Sequence, residues 1–205
     1  MAGRGLRKWL RGAMAGMGIV CLAAGTAGAI EVTLDAAAVK QAIEDGKQLK
    51  DEDLKTISTR FGANLKEDIC GGGGAIRTKT VTLNRLGGAI ARNPEQAEQD
   101  KAKIDEQIQK ILDSKVLKIE FDFCGDTADF AEGSTATLEQ GGKMSKGEMA
   151  KPDRAKKNEK GPAFRGKIVA SFPYSSFDPK APTKVTLYPP MGDALNWDVD
   201  FSKIK

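Results

Sequence analysis

Histidine is absent from the chain. Its absence removes Ser-His-Asp and Cys-His catalysis, histidine-ligated zinc and haem held by an axial histidine. Cysteine is scarce: Cys21, Cys70 and Cys124 are the three in 205 residues, and no C-x-x-C pair exists. Neither a dithiol redox motif nor a thiolate metal site is therefore written into the sequence. After the first 29 residues, no apolar run approaches the length of a membrane span. Aromatic residues make up only 6% of the chain, and their distribution is uneven.

The first segment has its own character. Arg4, Arg7, Lys8 and Arg11 are followed by an apolar run over residues 12–25, and then by Ala27-Gly28-Ala29. A basic start, an apolar middle and small residues at the processing positions predict a secretory signal peptide, cleaved after Ala29. No Arg-Arg pair is present, which favours the general export route over the twin-arginine one. Cys21 follows Gly18-Ile19-Val20, a poor fit to a lipoprotein box. An uncleaved anchor is the rival reading, but the run is short and rich in Ala and Gly for a span. The expected location is periplasmic or extracellular.

Removing this segment changes the charge argument. The chain holds 32 basic and 28 acidic residues. Four of the basic residues and none of the acidic ones fall in residues 1–29, so the remainder is balanced at 28 of each. A nucleic-acid binder would carry a net basic surface or stripe; none is expected here. Two cysteines remain, and in an exported chain they predict one disulfide, Cys70–Cys124. It would close a loop of about 55 residues and contribute about 4 kcal/mol in the chain-entropy model.

Residues 30–114 read as mainly helical. Asp35 is positioned to cap a helix in which Ala36, Val39 and Ile43 share a face, with Gly46 as its stop. A second helix is expected from Asp51, with Leu54, Ile57 and Phe61 as its stripe and Gly62 at its end. Residues 71–74 are all glycine. They lack the Gly-Lys-Ser/Thr of a P-loop and the spacing of a dinucleotide loop, so a flexible turn beside the disulfide is expected. From Ile76 to Leu86 the pattern changes from extended to helical near Val81. Asn93 and Pro94 then open a long helix to about Asp113, with Ile104, Ile108, Ile111 and Leu112 at helical spacing.

Residues 115–205 read as strands. Ten of the eleven aromatics beyond residue 29 lie here, Phe61 being the exception; aromatics favour half-buried pleated surfaces. In residues 115–124, Leu117, Ile119, Phe121 and Phe123 alternate with Lys118, Glu120 and Asp122, which predicts one face in a core and one in water. Similar alternation recurs around Ala136 and Leu138, from Phe164 to Phe172, at Val185 and Leu187, and from Leu195 to Phe201. The fold class expected is α+β: a helical N-terminal part packed on a C-terminal antiparallel β-sandwich, with an immunoglobulin-like topology as one candidate. That topology's spacing of two cysteines and a tryptophan is missing.

A polar connector is expected over residues 141–161. It carries seven basic and three acidic residues, whereas residues 115–140 carry two basic and six acidic ones. It reads as a solvated loop lying across the acidic edge, or as a basic loop that recruits an anionic partner. Glu120 and Asp122 share a strand face, and paired carboxylates can hydrolyse glycosides. Asp126, Asp129 and Glu132 offer oxygen ligands for calcium, without the spacing of an EF-hand; the plainer reading is a solvated acidic rim. Tyr174, Phe177 and Tyr188 lie near turns, where exposed aromatics can hold a glycan or small ligand. No cofactor is otherwise expected. The function expected is non-catalytic: an exported envelope or extracellular protein acting through its surface in a protein complex or self-assembly. A glycan- or small-ligand-binding module and a carboxylate-based hydrolase are the alternatives.

Overall fold

The computed structural model describes residues 30–50, 59–62, 70, 72–159, 161 and 163–204. The expected signal, residues 1–29, lies outside them. Chain order is α1 (Ala36–Gln48), β1 (Thr59–Gly62), β2 (Gly73–Arg77), α2 (Lys79–Arg92), α3 (Pro94–Gln99), α4 (Lys101–Asp113) and β3 (Val116–Gly125). It continues with β4 (Thr135–Gln140), β5 (Lys143–Lys146), β6 (Glu148–Met149), β7 (Lys156–Lys157), β8 (Phe164–Pro173), β9 (Pro182–Tyr188) and β10 (Leu195–Asp200). The fold is α+β, with two antiparallel sheets. One runs β1-β2-β3-β8-β6, with β7 also pairing with β8, and the other runs β10-β9-β4-β5.

β3 is the centre of the larger sheet. It pairs with β8 over ten residues and with β2 over five. Leu117, Ile119, Phe121 and Phe123 are at most 3% exposed, as their alternation predicts. They share one apolar cluster with Ala170 and Phe172 of β8, Ala136 and Leu138 of β4, and Val185 and Leu187 of β9. Burying each large side chain contributes about 1.5–3 kcal/mol. Ile30, the residue after the expected cleavage point, is also buried in this cluster, and its N–H donates to Pro179 O at 3.3 Å.

Several local expectations are corrected. Residues 51–58 lie outside the described residues, but Thr59–Gly62 is a strand, not the end of a helix. The reason is tertiary. Phe61 pairs with Gly74, and its ring stacks edge-on against Phe121 and Trp197, at 6.0 and 5.2 Å. Gly73 and Gly74 are buried strand residues, not a flexible turn. A Cβ at Gly74 would come within 2.5 Å of the Phe61 ring and 2.3 Å of Glu120 O, so glycine there permits close packing. The long helix after Asn93 is broken at Asp100 into α3 and α4, and the Asn93 side chain makes no cap hydrogen bond. None of α4's residues is buried; its apolar stripe is only half-covered. The connector over residues 141–161 is not simply a loop, since it contains β5, β6 and β7. Backbone pairing with β4 and β8 draws it into both sheets.

Asp35 caps α1 as expected, accepting from Ala38 N at 2.8 Å. Gly46 does not stop that helix, which continues to Gln48. It lies instead where α1 and α2 touch backbone to backbone. A Cβ at Gly46 would fall 2.0 Å from Asn84 O, and one at Gly87 of α2 would fall 2.1 Å from Ile43 O. Neither helix can yield locally, because each obstacle is the other's backbone. Gly87→Ala is therefore expected to lower stability by about 3 kcal/mol, the upper end of ordinary overpacking. Urea unfolding checks this; a loss within about 0.5 kcal/mol, the range of neutral surface changes, would contradict the close approach.

Candidate functional site

The sheet face opposite the apolar core carries a cluster of five ion-pair contacts. The register places it there. Arg60, Ala75, Glu120 and Val169 lie in one row across β1, β2, β3 and β8, and Gly73, Asp122 and Lys167 lie in the next. Glu120 and Asp122 do share a face, as expected. That face is not in water: Glu120 is 6% exposed and Asp122 1%. The acidic-rim reading is thus corrected for these two residues, because cations from the neighbouring strands cover them.

Glu120 is bonded by Arg77 of β2 on one oxygen and by Lys167 of β8 on the other. Arg60 of β1 reaches Asp122 Oδ2 at 3.1 Å. It spans β2 where that strand bears only Gly73 and Ala75, whose small size leaves room for a guanidinium. Asp122 Oδ1 accepts no hydrogen bond, but faces Lys167 Nζ at 3.5 Å and Arg165 Nη2 at 3.7 Å. Arg85 of α2 adds its charge beside Arg77 and Glu120. Two buried carboxylates thus sit among five cations. Burial alone would push the Glu120 carboxyl up. The Lys167 hydrogen bond and the charges of Arg77, Lys167 and Arg85 outweigh it and hold the group below the usual glutamate range.

The disulfide lies at the edge of this face. Cys70 and Cys124 are joined, with Cys124 opposite Arg165 on β8. Asn158 Nδ2 lies 3.4 Å from Cys124 Sγ and 3.6 Å from Cys70 Sγ. Arg165, Lys167 and Asn158 also line a cleft of about 440 Å³ with Arg154 and Lys156. The basic connector therefore ends beside the cation-rich part of the sheet, with Asp153 in the same cleft.

The other expected site residues are scattered. Asp126, Asp129 and Glu132 are exposed in the turn after β3. Asp129 and Glu132 face Lys151 and Arg154 across a second cleft, and Asp126 does not line it. Among the described residues, no three acids are grouped to hold a metal ion. The Asp129 carboxyl is lowered by a hydrogen bond from Thr127. Tyr174 and Phe177 lie together, ring centroids 6.0 Å apart, and Phe177 packs edge-on against Phe201 at 5.6 Å. Burial pushes the Tyr174 hydroxyl up to about 12. Tyr188 is 39% exposed and pairs with Thr135 at the start of β4. Phe177 lines a cleft of about 560 Å³ with Gln140, at the other end of that strand. The three aromatics do not form one surface.

Sequence reasoning missed the role of Arg60, Arg77 and Arg85. Its one available signal was the alternation that puts Arg165 and Lys167 outward on one strand and Glu120 and Asp122 outward on another.

No protein-family model, no curated protein and no solved structure matches this chain.

The charged face generates a pH prediction. Glu120 has a lowered folded pKa, so its stabilisation is present above the ordinary glutamate value of about 4.3 and is lost as pH falls through the folded one. Wild-type protein should lose more stability than Glu120→Gln when urea unfolding is compared at neutral and strongly acidic pH. At neutral pH the substitution itself should cost about 1–3 kcal/mol. That is less than for a fully buried pair, because Arg77 and Lys167 are partly solvated. Parallel pH curves for the two proteins would contradict the assignment.

Proposed function

We propose that this is an exported, non-catalytic envelope or extracellular protein that acts through its surface in a protein complex or assembly. The observation that supports this most is the state of the paired carboxylates. A glycoside hydrolase of the two-carboxylate kind needs one acid held protonated near its working pH. Glu120 is held the other way, ionised between Arg77 and Lys167. Asp122 is 1% exposed and faces three cations on two strands, Arg60 on β1 and Arg165 and Lys167 on β8. Neither is open to a substrate, so a hydrolase is the weaker reading. The disulfide is consistent with an oxidising compartment. Among the described residues, no helix is long and apolar enough to cross a membrane.

The same reading takes the two sheets as layers of an antiparallel sandwich with the helices packed on it. The single apolar cluster drawn from both sheets supports that. Immunoglobulin-like connectivity is not favoured. The disulfide joins Cys70 to β3 on the outer face of one sheet, whereas the immunoglobulin bridge crosses between sheets.

One observation favours the glycan alternative as a second reading. The cleft of about 560 Å³ combines the half-buried Phe177 ring with the polar side chains of Gln140, Lys143, Ser176 and Asp178. That mix suits a small hydroxylated ligand.

Native mass spectrometry on the protein taken from its own producing cells separates these readings. A multimeric or heteromeric mass is the expected result. A bare monomer that turns over a glycoside, and loses that turnover with Glu120→Gln, would overturn the non-catalytic reading. A monomer carrying a sugar mass would move the assignment to the Phe177 cleft.

A further inference from the structure

The start of α2, the end of α4 and the start of β3 meet at a separate cleft of about 280 Å³. Arg77, Lys79, Lys110 and Lys118 line it, together with Thr78 and Tyr174, and no carboxylate among the described residues does. Two of the cations are already engaged. Arg77 bonds Glu120, and Lys110 pairs with Glu106 at 2.7 Å. Lys118 is exposed and has no ion pair among the described residues.

Lys79 is the unusual member. It is only 6% exposed, and its ammonium has no carboxylate within ion-pairing distance among the described residues. Nζ donates to Leu112 O at 2.5 Å, in the last turn of α4, where carbonyls lack helical partners. It also stands 5.7 Å from the centre of the Tyr174 ring. Those contacts use one of the ammonium's three donors. Asp113 acts on it weakly from outside pairing distance, opposed by Lys115, and burial outweighs both. A buried cation without a counter-ion is costly.

An anion in this cleft would supply what Lys79 lacks. It would also meet the positive end of α2, a 14-residue helix whose first turn includes Lys79. Tyr174, kept protonated by burial, lines the same cleft as a neutral side chain.

We propose that this cleft binds a small oxyanion of the phosphate class, free or carried on a small ester, with Lys79 and Lys118 as its principal cationic contacts. The proposal does not depend on the reading of the protein as part of an assembly.

Calorimetry and thermal unfolding of the full chain with inorganic phosphate, at low ionic strength, test this directly. Glycerol phosphate serves as the ester arm. Wild type should bind and unfold at a higher temperature as phosphate is added. Lys118→Glu should weaken binding about tenfold or more, the loss of one charge-assisted contact. Lys146→Glu, the same charge change at an exposed position of β5, should stay within about twofold. Lys79→Met should abolish binding; because that variant also loses the Leu112 cap, Lys118→Glu carries the test if it does not fold. Tighter binding of the ester than of free phosphate would support a phosphorylated small molecule, and equal affinity would support the free anion. No binding by wild type at millimolar phosphate, or equal loss in Lys118→Glu and Lys146→Glu, would overturn the proposal.

Discussion

Two carboxylates buried on the outer face of β3 set the terms for the rest of this sheet. An ionised side chain moved out of water is costly unless opposite charges and hydrogen bonds replace the water. Glu120 and Asp122 meet that demand from three directions: Arg60 on β1, Arg77 on β2, and Arg165 and Lys167 on β8. The arrangement works only in one register, because a one-residue slip would send every side chain to the opposite face. The apolar side of β3 imposes the same register through Leu117, Ile119, Phe121 and Phe123. Core packing and charge pairing therefore specify one alignment of the central strands. The disulfide adds a covalent tie, fixing the chain just before β2 to β3.

This arrangement separates structure from chemistry. Carboxylates that would attract attention as a catalytic pair serve as counter-ions, and the chain has no histidine with which to build another acid–base centre. The cations outnumber the acids they cover. The surplus, with the connector lysines, faces outward near Arg154 and Lys156. Under the non-catalytic role proposed above, such a surface would serve recognition. The Lys79 cleft applies the same physics in reverse: there the buried charge is a cation, and the described chain offers it no acid within ion-pairing distance.

Much of the architecture is legible in the sequence. The period-2 runs locate the core faces of β3, β4, β8, β9 and β10, since alternation is a local property. Two cysteines in a chain with an export-like start predict the disulfide. The Asp35 cap is likewise local. Phe61 is not, because its helical spacing with Leu54 and Ile57 competes with a pairing to Gly74 and a ring cluster with Trp197 that no nearby residue announces. Gly46 reads as a helix stop and acts as a helix contact, because its reason is the backbone of α2. The charged face was half-visible. Alternation put Glu120 and Asp122 on one side, but solvent was the default for that side until Arg60, Arg77 and Lys167 arrived from strands about 60, 40 and 50 residues away in sequence.

The most direct test of this organisation is a double-mutant cycle between Arg60 and Asp122, using Arg60→Gln and Asp122→Asn and reading stability by urea unfolding at neutral pH. If the buried charges hold β1 to β3 across β2, the two substitutions will be coupled by about 1 kcal/mol or more, and each single variant will be destabilised. Additive effects, with coupling indistinguishable from zero, would show that the pair is incidental and that the strands are aligned by the apolar face alone.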